Sequence, residues 1–264
     1  MQGFSFGSYI PGSSPVHRVD PRAKLLLGCA FIIVLLVAKT PAALAVCAAF
    51  VLGVYLLARI PFSKAMQSLA PLLVIVITVV VLNLFTATEG TVLVDWGILK
   101  IRDLGITNAL FMGARLTIMM LGMSLITLTT MTIDLTEAFE RLLSPFARFG
   151  LPAHELGMIM GIALRFMPQF ASELATVYHA QVSRGAAMAN SPVKGVRMLS
   201  SLMVPLFTSV FRHAETLSAG MDARCYHGGV GRTRLHPLHF AARDGVAVAA
   251  IAALAVCVVL ANSL

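Results

Sequence analysis

Arg184 and Arg224 are the residues of this sequence best placed to do chemistry, and that chemistry is recognition, not bond making. A guanidinium presents its donors in a planar fork that matches carboxylates and carbonyls, while its aliphatic stem packs along an apolar wall. Each arginine terminates an apolar seam. The first runs Leu156, Met160, Ala163, Met167, Phe170, Leu174 and Val177, stepping alternately by four and three, and the same steps continue through Gln181 to Arg184. The second runs Leu199, Met203, Leu206, Val210, Ala214, Leu217 and Met221, and its next step of three reaches Arg224. Such steps mark one face of a helix.

A plainer reading stands beside this one. A basic residue in a last helical turn is favoured by the helix dipole, and Gly185 directly after Arg184 is an ordinary left-handed cap. Two arginines at matching ends, each with a proline upstream (Pro168, Pro205) that predicts a kink, read instead as a degenerate internal repeat. The methionines Met158, Met160, Met167, Met198 and Met203 would suit an adaptable binding surface or simply fill a core.

Nothing in the sequence points to catalysis. "GGVGRTRL" is glycine-rich but lacks the spacing and the lysine of a phosphate-binding loop. No nucleophile elbow, zincin helix or facing carboxylate pair is present. His213, His227, His236 and His239, with Cys225 nearby, lack zinc-site spacings and stand among basic residues. Cys29, Cys47 and Cys257 lie in apolar runs and read as packing thiols. A membrane-embedded enzyme would need clustered acid, base or metal residues, and a self-contained secondary transporter would need inverted repeats with polar groups at mid-membrane. Neither pattern is evident.

Composition sets the medium in which these helices stand. Of 264 residues 58% are hydrophobic and 12% charged, about half the charge of an average soluble domain, yet the net charge is +8. That combination describes a membrane protein whose few charges face water on one side. The basic residues are spread without aromatic interleaving, which fits anionic lipid and acidic partner grooves and not nucleic acid. The N-terminal stretch does not resemble a cleavable signal peptide, so insertion is expected to rely on the first membrane helix.

About five transmembrane helices are expected, making the chain an all-α membrane protein. Leu25 to Ile60 is too long for one crossing of about 20 residues and should fold back at Lys39-Thr40-Pro41. Leu69 to Ala87, Ile106 to Thr130 and Phe240 to Asn262 supply the third, fourth and fifth spans. Arg115 lies inside the fourth, either as a functional intramembrane charge or as a side chain reaching the outer interface. With the N-terminus in the cytoplasm, 16 Lys/Arg residues fall inside and Lys39, Lys100 and Arg102 outside, Arg115 being the twentieth. Five crossings then put the C-terminus outside.

The chain divides at this level into 1–130 (N-terminal segment and four spans), 131–239 (a cytoplasmic region of long amphipathic helices) and 240–264 (the last span). Within 131–239 a helix should begin at Asp134, with Glu137 three residues on, and stop at Gly150 and Pro152. The two arginine-tipped helices follow.

These residues carry a family resemblance. "GSYIPGSSPVHRVDPRAKLLL", "ALRFMPQF", "AQVSRGA" and "DARCYHGGVGRTRL" resemble the transmembrane T component of energy-coupling factor (ECF) transporters, the family that includes the cobalt-transport membrane protein. The resemblance spans essentially the whole chain, and the paired tips are its most specific part. It implies a non-catalytic scaffold in the cell membrane that joins two cytoplasmic ABC ATPases to a membrane-embedded, substrate-binding S component for vitamin or metal-ion uptake. ATP and Mg would reside on the ATPases, with no cofactor on this chain. It also implies that two coupling helices end in Ala-Arg-Gly motifs docked on the ATPases, here Ser183-Arg184-Gly185 and Ala223-Arg224-Cys225. Cysteine in place of the final glycine removes an easy left-handed cap, so the second helix is expected to end at Gly228-Gly229 instead.

Overall fold

Polar and helix-breaking residues divide the long apolar runs into helices whose ends are held by side chains of other helices. The computed structural model describes residues 9–86, 92–96, 99–150, 152–185, 192–228 and 241–263. Its helices are α1 (Pro21–Val37), α2 (Pro41–Ala58), α3 (Phe62–Leu69), α4 (Leu73–Thr86), α5 (Asp103–Thr129), α6 (Thr132–Leu143), α7 (Ala153–Ser183), α8 (Pro192–Ala223) and α9 (Ala242–Ser263). The described residues are overwhelmingly helical, as expected of an all-α chain, with one small addition. Strands β1 (Val92–Trp96) and β2 (Leu99–Arg102) form an antiparallel hairpin between α4 and α5, pairing Asp95 with Lys100 and Trp96 with Leu99.

Two compact units divide the chain. One comprises Gly7–Ala138 with Pro237–Leu264, the other includes Phe139–His236, and the boundary falls within α6.

In the first unit the fold-back expected at Lys39-Thr40-Pro41 is present. Thr40 caps α2, its hydroxyl accepting the Ala43 amide at 3.2 Å, and Pro41 takes the first helical position, where a missing N–H costs nothing. Leu35, Cys47, Val51, Tyr55, Ile118, Leu254 and Val258 pack into one core drawn from α1, α2, α5 and α9. Gly28 and Gly122 bring α1 and α5 close, since a Cβ on either would strike Ile126 or Phe31.

Three helices, Pro41–Ala58, Asp103–Thr129 and Ala242–Ser263, are long and apolar enough to cross a membrane. Helix α1 has 17 residues and α4 has 14. The stretch from Leu69 to Ala87, expected as one span, is broken by a 3₁₀ turn, Ala70–Leu72, because Pro71 cannot supply the N–H that would continue α3 into α4. Ala87 lies outside the described residues.

Both ends of this bundle are tied across the chain. At one end Lys24, buried, donates its ammonium to the carbonyls of His17 (3.2 Å) and Thr129 (3.0 Å) and to the Thr130 hydroxyl (3.1 Å). Beside it the buried Asp244 carboxylate accepts the amides of Asp20 and Ala241, each at 2.8 Å. At the other end Asn262 accepts the Lys39 amide at 2.9 Å and donates to the Val37 carbonyl at 2.8 Å. Arg115 donates to the Ala38 carbonyl and lies 4.8 Å from the Phe111 ring centroid. Arg115, within the apolar helix α5, thus serves the C-terminal end of α1. These pairings make α9 parallel to α1 and α5 antiparallel to it, and they leave Arg22, Lys24 and Arg243 at one end and Lys39 at the other.

Removing the Asp244 carboxylate strands the buried Asp20 amide and the part-buried Ala241 amide, the buried one costing about 1–3 kcal/mol and the other less. Asp244→Ala is expected to destabilise this unit by about 2–4 kcal/mol in detergent unfolding, with a smaller loss for Asp244→Asn, which keeps one acceptor oxygen. Unchanged melting of the alanine variant would show that the two amides find other acceptors.

Candidate functional site

The second unit is built around α7 and α8, of 31 and 32 residues, each continuing through an internal proline. Before them α6 begins at Thr132, two residues ahead of the expected start, so Asp134 occupies the first turn and not the cap. The α-helix ends at Leu143 and tightens to a 3₁₀ turn over Ser144–Phe149, because Pro145 disfavours α conformation at Ser144. Gly150, at φ +89°, completes the stop. His154 then pairs with Glu140 at 3.2 Å, and Gly157 allows α7 to approach Glu140 closely.

Helices α7 and α8 are antiparallel and are bridged at mid-length by polar groups. The Ser209 hydroxyl donates to Glu173 Oε2 at 2.8 Å, and the Gln169 amide donates to Glu173 Oε1 at 3.2 Å and also meets His213 Nε2. His213 Nδ1 lies 2.8 Å from the Ser209 carbonyl, and Nε2 is 3.4 Å from Glu173, an ion pair when the imidazole is protonated. The rings of Phe166 and Phe170 meet the imidazole edge-on. Ser209 holds the Glu173 carboxylate below the ordinary glutamate range; partial burial opposes this, and Gln169 and His213 reinforce it. Further along, Tyr226 donates to Met158 Sδ at 2.9 Å, joining the end of α8 to the beginning of α7.

The arginines stand symmetrically about this bridge. Arg184 lies 184 − 173 = 11 residues beyond Glu173, and Arg224 lies 224 − 213 = 11 residues beyond His213. At 1.5 Å per residue each tip is about 16 Å of helix from the bridge. Because the helices are antiparallel, the two tips point to opposite ends of the pair.

Local backbone geometry turns both arginines outward. Arg184 is the last residue before Gly185 at φ +87°, and the Gly185 amide reaches back to Val182 at 3.0 Å. Arg224 precedes Cys225, which takes the left-handed conformation itself at φ +54°. The Cys225 amide bonds to Asp222 at 2.9 Å and the Tyr226 amide to Met221 at 3.1 Å, the two bonds of a Schellman cap. The expectation that α8 would run on to Gly228-Gly229 is therefore overturned. Two backbone bonds and the Tyr226 contact outweigh the cost of about 1–2 kcal/mol for a left-handed side-chain residue. Ser183 turns its hydroxyl back to the His179 carbonyl at 2.9 Å and so occupies space much as alanine would. Ser183, Arg184, Gly185, Ala223, Arg224 and Cys225 are all exposed. Among the described residues neither guanidinium has a hydrogen-bond or ion-pair partner.

Apolar surface accompanies the tips. On α7 Leu156, Ile159, Met160 and Met167 are exposed, and on α8 so are Val204, Phe207 and Phe211. Such contiguous exposure marks a surface with a partner or a membrane on it. No metal-binding group of His, Cys, Asp and Glu occurs among the described residues. Residues 229–235, His236 and His239 lie outside them. Sequence reasoning missed the Glu173–Ser209–His213 bridge, although a signal for it exists: Gln169/Glu173 and Ser209/His213 are polar i,i+4 pairs at identical distances before the two arginines.

Two measurements test this geometry. Gly185→Ala should speed amide exchange in the last turn of α7 about 5- to 30-fold, as expected for a loss of 1–2 kcal/mol, whereas Cys225→Ala, one side chain for another, should leave α8 unchanged; equal effects would refute the caps described. For the bridge, a depressed Glu173 value means that its stabilisation is complete above the unfolded glutamate value of about 4.3 and is lost as pH falls through the folded value. Carboxyl-carbon NMR should show Ser209→Ala raising the Glu173 midpoint towards about 4.3. An unmoved midpoint would remove Ser209 as the cause.

Comparison with known proteins agrees with this architecture. The cobalt transport protein family, CbiQ, matches residues 12–236. The chain is 41% identical over 260 residues to the energy-coupling factor transporter transmembrane protein EcfT of Brevibacillus brevis, covering 98% of each chain. It is 42% identical to that of Thermosediminibacter oceani and 36% to that of Bacillus subtilis, covering 97% of each chain in both cases. With full-length similarity of this order, the chain belongs to the cobalt transport protein family as a transmembrane component of energy-coupling factor transporters.

Proposed function

We propose that this chain is the membrane scaffold of an ECF-type ABC importer, coupling ATP hydrolysis on two cytoplasmic ATPase subunits to reorientation of a substrate-binding S component that brings in a vitamin or metal ion. The observation that carries the reading is the equal spacing of Arg184 and Arg224 from one bridge, at opposite ends of an antiparallel pair. Two outward guanidinium groups set so far apart serve two separate acceptors, one for each ATPase. Each arginine can enter a groove and engage carboxylates or carbonyls there, supported by its neighbours Ser183 and Gly185 or Ala223 and Cys225.

Closure of the ATPase pair around ATP draws the tips with it, and α7 and α8 shift about their bridge. The apolar surfaces of α7 and α8 hold the S component, so their displacement lets that partner reorient and release its substrate inside. This chain supplies no bond-making group to the cycle; nucleotide and Mg belong to the ATPases.

In the membrane the proposed arrangement has five crossings, α1, α2, α4 with its preceding turn, α5 and α9. The N-terminus and the 131–239 coupling region are cytoplasmic and the C-terminus is outside. Support comes from charge and from the antiparallel order of α1 and α5. The end carrying Arg22, Lys24 and Arg243 suits the cytoplasmic face, and the end carrying Lys39 and Asn262 suits the opposite one.

The decisive experiment replaces both arginines, Arg184→Glu with Arg224→Glu, and follows ATPase copurification and ATP-dependent uptake after membrane insertion is verified. Breaking a docked charge pair costs about 2–5 kcal/mol, so association and uptake should each fall at least about tenfold. Full retention of both in the inserted double variant would reduce the arginines to helix caps and end this proposal.

A further inference from the structure

We infer that the crevice between α1, α2, α5 and α9 is a binding slot for one acyl chain of an anionic phospholipid, with the lipid headgroup held at Arg243. The cavity measures about 520 Å³, within the range of about 300–1,000 Å³ typical of small-molecule sites. Its lining runs from Lys24 to Phe31 on α1, Phe50 to Leu57 on α2, Gly122 to Thr129 on α5 and Arg243 to Ile251 on α9. Each stretch is about two helical turns, or about 11 Å. The shape is therefore a slot descending into the bundle from its basic end. The wall is made of Phe31, Phe50, Val54, Ile126 and Ile251 and offers a ligand almost no polar partner. At Gly53 a Cβ would meet nothing within 4 Å, whereas at Gly28 and Gly122 the space is already taken by Ile126 and Phe31. The slot is thus open where α2 faces it.

Charge identifies the occupant. The slot's polar end is lined by two basic residues, Lys24 and Arg243, with the carboxylates of Asp20, Asp134 and Asp244 close to Lys24. Asp20 and Asp244 already accept backbone amides. Lys24 directs its ammonium to three oxygens inside the protein and lends the slot only its methylenes. Arg243 is exposed at the rim, one turn before Val246 and Ala247 of the wall. A cation at the rim above an apolar slot matches a phospholipid with its phosphate above and its chain below, and a basic rim selects an anionic headgroup.

Native mass spectrometry of the full-length chain, purified in mild detergent and titrated with phosphatidylglycerol and phosphatidylethanolamine of identical chains, tests the slot. Wild type should retain one phosphatidylglycerol with at least about fivefold preference, the increment expected of one basic residue. Arg243→Gln should keep a lipid but lose the preference. Gly53→Leu and, independently, Ala250→Leu should each lower retained lipid at least about fivefold. Gly53→Leu should do so without loss of thermal stability, since leucine is the better helix former and its Cβ has room. Equal retention by both filled variants, or equal binding of the two lipids by wild type, overturns the proposal. So does a crosslink in cell membranes from Gly53→Cys to a partner protein, which would give the slot to a protein helix.

Discussion

Every helix end leaves carbonyls and amides without intrahelical partners, and this constraint organises the bundle. The chain meets it by lending side chains from one helix to the end of another. Lys24 reaches the last carbonyl of α5, Arg115 and Asn262 reach the end of α1, and Asp244 takes the Asp20 amide where α1 begins. Each capping group therefore also fixes the position of a second helix. That is why a chain so poor in charge places its charges where it does. Lys24 and Asp244 are buried and fully engaged, and their desolvation is repaid by several hydrogen bonds each.

The same constraint gives a different answer at α7 and α8. Their last turns are exposed, so backbone bonds alone close them: Gly185 to Val182, and Cys225 with Tyr226 to Asp222 and Met221. No side chain of the tip is spent on capping, which leaves Arg184 and Arg224 available outward. In the first unit arginine is used the opposite way, since Arg115 is turned inward to a carbonyl. One residue type thus closes a helix in one unit and remains open to a partner in the other, and the difference lies in whether the backbone closes its own helix end.

The helical architecture could be read from hydropathy because apolar length and the Lys39-Thr40-Pro41 break are local signals, and the arginine tips could be read because the seams step regularly towards them. What escaped depends on distant or subtle partners. The β1–β2 hairpin has strands of only five and four residues, too short for their alternation to register. Thr132 begins α6 because the Met131 carbonyl accepts the Leu135 amide and the Thr132 carbonyl accepts the Thr136 hydroxyl, a choice that the Asp134–Glu137 spacing does not encode. Cys225 entered the left-handed region against its residue preference, since the bonds made by its neighbours decided the turn. The Glu173 bridge needed the register of two helices, information that only their packing supplies.

The bridge also bears on how motion could travel. Both prolines precede it, Pro168 by five residues before Glu173 and Pro205 by eight before His213. Each removes one amide donor and leaves a carbonyl one turn earlier without its usual partner, which makes that point the easier place to bend. Between the bridge and the tips there is no proline, and Gly220 is the lone glycine. The arms are therefore the stiffer parts and the segments before the bridge the softer ones. Equal arms of 11 residues then set the two tips at the same distance from one bridge.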